Sequence, residues 1–242
     1  MLGYIAYQEN STDKAYMRQE KRHGGSFLVL DMGHSARGMF APHRAASAAK
    51  QMRAQGVRRA VFPFDFPHTA VFLRHGIAPV DTLPLQRALC VPYVRKKLSG
   101  MGLSGTQAVI AVVGTSVGEV LAQTVRDLSR SYRYVLLSVS SGGDAFAAEM
   151  RRQYGISLLL QPSADQLARS DALILFSPTD SPVRNDRLIC ALYPGASPHH
   201  RIPLQPGFRE GIPSNCPPDQ LASALHSQGI LPAEHFLGEI TC

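Results

Sequence analysis

Ala108-Val109-Ile110-Ala111-Val112-Val113 runs into Gly114-Thr115-Ser116-Val117-Gly118-Glu119, and from there Val117, Val120, Leu121, Val125 and Leu128 recur at helical spacing. Six apolar residues without a polar break are the pattern of a strand buried on both faces of a sheet. The spacing that follows puts its apolar residues on one helical face. A strand, a glycine turn and a helix in direct succession predict a βα unit, and the chain repeats the pattern downstream. Tyr134–Val139 reads as a strand, Ser140-Ser141-Gly142-Gly143 as a turn, and Asp144–Tyr154 as a helix with Phe146, Met150 and Tyr154 on one face, stopped at Gly155. Ile156–Leu160, Ala172–Phe176 and Leu188–Leu192 read as further strands. Between the first two of these, Ser163 and Gln166 stand in capping-box register at the start of a short helix over Ser163–Arg169. Strands alternating with helices at this spacing pair in parallel through right-handed crossovers. The fold class expected is α/β, with a doubly wound, mostly parallel sheet.

Working outward, the first half carries a smaller α/β pattern. Phe27–Leu30 is an aliphatic run ending at Asp31, Pro42–Gln55 is an Ala-rich helix closed by Gly56, and Val57–Phe64 is a strand closed by Asp65-Phe66-Pro67. Thr69–Arg74 reads as a short helix. Leu83–Leu98 reads as another, which Pro92 is expected to kink or interrupt. Gly100-Met101-Gly102-Leu103-Ser104-Gly105 is taken as the hinge, giving domains 1–105 and 106–242. The second domain then ends in a Pro- and Gly-rich stretch, Tyr193–Pro218, and a last helix over Asp219–Gln228 that stops at Gly229. No fixed-period repeat is visible.

Composition narrows the functional classes. In 242 residues, 45% hydrophobic and 18% charged, there is enough apolar surface for a real core without staples. Cys90, Cys190, Cys216 and Cys242 form no C-x-x-C pair, so neither a zinc ribbon nor a thioredoxin-type site is signalled, and reduced thiols in a cytoplasmic protein are expected. Met1–Asn10 lacks a basic start with a following apolar run, and no segment reaches the roughly 18 apolar residues of a membrane span. Residues 1–105 hold 15 Lys and Arg against 6 Asp and Glu, whereas residues 106–242 hold 10 against 12. This basic N-terminal half is either a solvated face or an attractor for an anionic partner. Nucleic acid is disfavoured, because the tight cluster Arg95-Lys96-Lys97 has no interleaved aromatics for base stacking.

The strand, glycine turn and helix at 108–128 resemble the first βα unit of the Rossmann-like NAD(P)-binding proteins. Ala168–Phe176 is similar to the helix, Asp and apolar strand of shikimate-dehydrogenase-like domains. The resemblance implies an NAD(P)-type cofactor whose pyrophosphate sits on the free N–H groups at the helix start. It assigns cofactor contacts to Gly114, Thr115, Ser116 and Gly118, and to Ser140 and Ser141 at the end of the next strand. Against G-x-G-x-x-G only Gly114 matches; Ser116 and Glu119 replace the later glycines, and Gly118 offers a looser G-x-x-x-G spacing. No acidic residue closes the strand at 134–139, where a ribose hydroxyl would be held.

Other readings compete residue by residue. Ser116 and Glu119 stand in S-x-x-E register, so a capping box would occupy the same N–H donors with the protein's own side chains. Asp144 similarly reads either as a helix cap or as part of an anion cradle with Ser140–Gly143. In the first half, Asp31, His34, Asp65 and His68 follow two strands and could supply acid–base chemistry or bind a divalent metal, with Asp65 and His68 as candidate catalytic residues; alternatively they are caps and loop residues. Their spacing matches no metal box, so no metal is expected. His199-His200 reads as surface. G-x-S-x-G, H-E-x-x-H, Walker and kinase motifs are absent. Two functions follow. One is an NAD(P)-dependent oxidoreductase whose acid–base residues face Gly114 across a cleft. The other is a non-catalytic α/β protein that binds a small anionic effector or a protein partner. Homo-oligomerisation is left open.

Overall fold

The computed structural model describes residues 1–7, 15–33, 38–179, 188–210 and 212–237. The chain forms two compact units: Met1–Leu85 together with the segment beginning at Leu204, and Gln86–Pro203. Each is an α/β unit around its own five-stranded, mostly parallel sheet.

The first unit contains β1 (Leu2–Ala6), β2 (Tyr16–Arg22), β3 (Gly25–Asp31), α1 (Ala41–Ala54), β4 (Arg59–Val61), α2 (Thr69–Arg74) and β5 (Ala78–Pro79). Its strand order is β2-β3-β1-β4-β5, parallel throughout except for the antiparallel edge strand β2. β2 and β3 form a hairpin over His23 and Gly24, whose φ angles of 49° and 84° are those of a two-residue primed turn. Neither β1 nor β2 was expected from the patterning, although β1 is the central strand. Its residues Tyr4, Ile5 and Ala6 are buried, and Ile5 packs with Leu28, Leu30, Met52, Phe62 and Phe72 in one core cluster.

The chain leaves this unit within α3 (Leu83–Gly100). Pro92 does not interrupt α3, which continues for two more turns with Val94 and Leu98 fully buried. The second unit then follows the expected pattern: β6 (Val109–Ser116), α4 (Glu119–Ser129), β7 (Tyr134–Ser141), α5 (Gly143–Tyr154), β8 (Leu159–Leu160), α6 (Ala164–Ala168), β9 (Ala172–Leu175) and β10 (Leu188–Ala191). All its strands are parallel, in the order β10-β9-β6-β7-β8. Numbered within the unit this is 3-2-1-4-5, the first five strands of the Rossmann order. The capping box of α6 forms as read, with Ser163 accepting from the Gln166 amide and Gln166 accepting from the Ser163 amide.

Two expected strands are much shorter than their apolar runs, because neighbouring groups take their backbone donors. Val57 N–H closes the end of α1 on Met52 C=O, and Phe62 N–H donates to the Gln220 side chain, leaving β4 only three residues. Ile156 N–H closes α5 on Met150 C=O behind Gly155, which has a φ of 67°, so β8 begins only at Leu159.

The division of the chain also differs from one at residue 105. Gly105 is no free hinge: a Cβ there would lie 2.0 Å from the Ser131 carbonyl oxygen, and Arg133 N–H donates to Gly105 C=O at 2.8 Å. The C-terminal segment, with α7 (Pro206–Arg209) and α8 (Pro218–Ser227), belongs to the first unit rather than to the Rossmann-like one. Gln220 and Ser223 of α8, and Gln228 directly after it, bond to Phe62 N–H, Asp81 C=O and Ser26 N–H respectively. Redrawn this way, residues 1–85 with 204–238 hold 12 Lys and Arg against 9 Asp and Glu, and the remainder hold 13 against 9. The charge contrast between sequence halves therefore does not survive as a contrast between units.

Candidate functional site

In the second unit β6 and β7 run side by side to their carboxyl ends, where Ser116 pairs with Ser141 and Val117 N–H donates to Ser141 C=O at 3.3 Å. Each strand then turns directly into a helix. α4 opens on Gly118 with φ −89° and ψ 169°, and α5 on Gly142 with φ 80°; neither opening has a side-chain capping hydrogen bond. Thr115, Ser116, Gly118, Ser140 and Ser141 are exposed here, so the structure brings five of the six expected cofactor residues to one sheet edge. Arg126 of α4 ties the two helices together, 3.0 Å from the Glu149 carboxylate and 5.5 Å from the Phe146 ring centre on α5.

Two expectations change in detail. The capping box does not form, because β6 extends through Ser116 and α4 starts at Glu119; the serine is a strand residue and Glu119 occupies the first helical position. Asp144 likewise is not a cap but the second residue of α5, with its charge in the first turn. Gly114 differs in role from the other five. It is buried within β6, and a Cβ there would lie 2.7 Å from Leu121 Cδ1 and 3.4 Å from Phe176 Cβ. Its smallness lets α4 lie close on the sheet, which makes it a packing glycine.

The chain passes from β7 and β8 on one side of β6 to β9 on the other, so the reversal point lies between the carboxyl ends of β6 and β9. In open α/β sheets this is where ligands bind. Phe176 follows β9 there and donates its N–H to Val113 C=O at 2.7 Å. Half-buried Arg87 of α3 places its guanidinium 6.0 Å from the Phe176 ring centre while donating to Leu192 C=O at 3.3–3.4 Å. Nothing local in the chain marks Arg87 and Phe176 as partners; their association comes from the folding of α3 onto the strand ends. Cys90 and Cys190 are both buried in this unit. A hydrogen bond to the Cys190 thiol, and then burial, hold Cys90 well above the ordinary thiol range, so Cys90 is no thiolate nucleophile.

The first unit treats its own strand ends differently. Asp31 closes β3 as a buried carboxylate, accepting from Gly33 N–H at 3.0 Å and Tyr16 O–H at 3.1 Å. Asn215 donates through Nδ2 to Tyr7 C=O beyond β1 and accepts Phe64 N–H beyond β4. Asp65 is exposed in the turn after β4. His68 precedes α2, accepts Val71 and Phe72 N–H on its carbonyl, and sets its ring edge against Phe66 at 5.8 Å. β1 lies between the strands that precede Asp31 and Asp65, so these carboxylates follow non-adjacent strands. His34 lies outside the described residues. Among the described residues no group of three His, Cys, Asp or Glu side chains could hold a metal ion, and no helix is long and apolar enough to cross a membrane. Elsewhere in this unit Tyr4 donates to Cys216. Burial, then that bond, push the Tyr4 phenol well above its ordinary range, against an opposing effect of Arg22.

No family model matches the chain, and no curated protein matches it in sequence. Solved structures with some similarity include L-tryptophan dehydrogenase from Nostoc punctiforme, at 12% identity and TM-score 0.33, where the match covers 64% of this chain and 45% of that one. Ornithine carbamoyltransferase from Pyrococcus furiosus matches at 12% identity and TM-score 0.36, over 98% and 83% of the two chains. An aspartate transcarbamoylase from Trypanosoma cruzi matches at 12% identity and TM-score 0.33, over 80% and 71%. The chain thus spans less than half of the dehydrogenase. Likeness of this degree transfers no residue role and no activity.

Proposed function

We propose that the second unit binds a small phosphate-bearing ligand at the carboxyl ends of β6 and β7, and that a nucleotide cofactor of the NAD(P) type is the candidate occupant. The observation that carries this reading is the pair of adjoining helices, of 11 and 12 residues, that both open on glycine without a side-chain cap. Uncapped helix starts present N–H donors and the positive end of the helix dipole to an anion. Thr115, Ser116, Ser140 and Ser141 supply hydroxyls beside them. Gly118 has open space where a side chain would stand, so a ligand can approach its backbone. Asp144 is the first acidic residue after β7, a position from which a carboxylate accepts from ribose hydroxyls and repels a 2′-phosphate. NADH is therefore expected to bind more tightly than NADPH. Asp65 and His68 have no step in this reading.

A second reading keeps the site non-catalytic. Glu119 and Asp144 already place a negative charge in the first turn of each helix, which partly satisfies the dipole without a guest. Thermal unfolding with millimolar NADH, NADPH and their oxidised forms, and with pyrophosphate alone, separates the two. At a ligand concentration ten times Kd, a true ligand raises the melting temperature by about 3–6 °C. A rise with NADH supports the cofactor, a rise with pyrophosphate alone supports an anion effector, and no rise with any of them removes the proposed site.

A further inference from the structure

The edge of the first unit's sheet carries a self-complementary strand. β2 reads Tyr16-Met17-Arg18-Gln19-Glu20-Lys21-Arg22, lies at the end of the strand order, and pairs with β3 along its whole length. No other strand among the described residues pairs with its outer side. The two-residue turn fixes which groups face outward. Arg22 and Gly25 flank it as a hydrogen-bonded pair, so Tyr16, Arg18, Glu20 and Arg22 direct their backbone groups to β3. The N–H and C=O groups of Met17, Gln19 and Lys21 point away from the sheet.

We propose that this edge is a homodimer interface, in which β2 of one chain pairs antiparallel with β2 of a second copy about a two-fold axis through Gln19. Only registers that set outward-facing residues against each other keep the ladder bonded, and charge selects among them. Centred on Gln19, Gln19 meets its own counterpart, Met17 meets Lys21, Arg18 meets Glu20, and Tyr16 meets Arg22. A register centred on Arg18 would oppose two guanidiniums, and one centred on Glu20 would oppose two carboxylates and two Arg18–Arg22 pairs. The Gln19 register opposes no like charges and uses all seven residues. It also places Arg18 and Glu20 in the non-hydrogen-bonded pairs, where side chains approach most closely.

The side chains are already arranged for this. Within one chain Arg18 Nε lies 2.7 Å from Glu20 Oε2, Arg22 Nε lies 3.2 Å from Glu20 Oε1, and Arg18 Nη1 donates to Tyr16 O–H at 3.1 Å. A second copy extends this row into a continuous ladder of alternating charge across the axis. One strand pair buries less surface than a standard interface, so the dimer is expected to form at micromolar rather than nanomolar concentration.

Sedimentation velocity of the full chain between about 1 and 200 µM, a range that brackets micromolar affinity, tests the interface. The wild type is expected to pass from one chain mass to two; a monomer throughout overturns the proposal. R18E and E20R each set like charges opposite across the axis and are expected to weaken self-association by at least about tenfold. Mixing R18E with E20R in equal amounts restores the dimer, because unlike charges then face each other across the axis although each chain's own Arg18–Glu20 pair stays broken. A mixture that remains monomeric overturns the register. Q19P removes the two central outward N–H donors and no bond to β3, so it gives a folded monomer by circular dichroism. A Q19P protein that still forms the dimer overturns the interface.

Discussion

At the carboxyl edge of the first unit the chain bonds to itself: Asn215 bridges the residues that follow β1 and β4, and Asp31 is held by Gly33 and Tyr16. At the corresponding edge of the second unit β6 and β7 run on into two helices that open on bare glycines. Both sheets are doubly wound, with their first parallel strand inside the sheet and a reversal beside it. The same plan therefore places a reversal point at the carboxyl edge of each sheet, and at the first of them the described residues bond to one another. Among the described residues, Asn215 of the returning segment, together with Gly33 and Tyr16, supplies polar groups to the first unit's strand ends. Backbone donors and acceptors that the chain itself takes are not open to a guest, which is the contrast on which the proposed ligand is placed at the second unit.

That contrast can be broken at Gly114. G114A puts a methyl group 2.7 Å from Leu121 Cδ1, and both residues are buried between β6 and α4. Overpacking of this kind costs about 1–3 kcal/mol. A drop in the urea midpoint of that size is the expected result, and the double variant G114A/L121A is expected to lose less than the sum of the two single losses. The shortened side chain vacates the space, so the two changes are not additive. If G114A is neutral, Gly114 serves something other than helix packing and returns to the list of ligand contacts.

The first unit's edge can be opened with N215A. The variant removes the donor to Tyr7 C=O while keeping the backbone bond to Phe64 N–H, and is expected to cost about 1 kcal/mol. Chemical unfolding reads the loss. Nucleotide- or pyrophosphate-induced stabilisation is expected to persist in N215A, because the proposed ligand touches only the other unit; its disappearance would place the ligand at the wrong edge.

How much of this was legible before folding depends on how local each signal is. β6, α4, β7 and α5 carry long apolar or amphipathic runs bounded by glycine, and their positions follow from the residues themselves. Leu2-Gly3-Tyr4-Ile5-Ala6 is an apolar run too, but five residues next to a chain start carry little periodicity, and its central place comes from pairing with β3 and β4. Tyr16–Arg22 is polar at nearly every position, so β2 has no hydrophobic pattern to betray it; only its hairpin with β3 makes it a strand. The unit boundary was hidden for the same reason. Gln220, Ser223 and Gln228 bond to residues between 142 and 202 positions earlier, and no window along the chain can see that. At the candidate site the hydroxyls and glycines were legible as a cluster. Ser116 was not legible as a strand residue, because S-x-x-E fits a capping box equally well until the length of β6 is known.

The smallest expected effect bears on the site most directly. Glu119 is the first residue of α4 and its carboxylate competes with any anion for the same helix start. A charge in the first turn is worth about 0.3–1 kcal/mol at an exposed position, so E119Q is expected to tighten pyrophosphate binding by a factor of about 2–5. The same substitution weakens the unliganded helix by a similar small amount, so stability and affinity move in opposite directions. D144N is expected to tighten pyrophosphate comparably yet to narrow the margin between NADH and NADPH, since it removes the group that rejects a 2′-phosphate. Calorimetric titration at low and high salt measures both, with the gain shrinking as salt screens it. Equal affinities in wild type, E119Q and D144N would mean that the anion binds away from these helix starts, and the difference between the two sheet edges would then carry no functional weight.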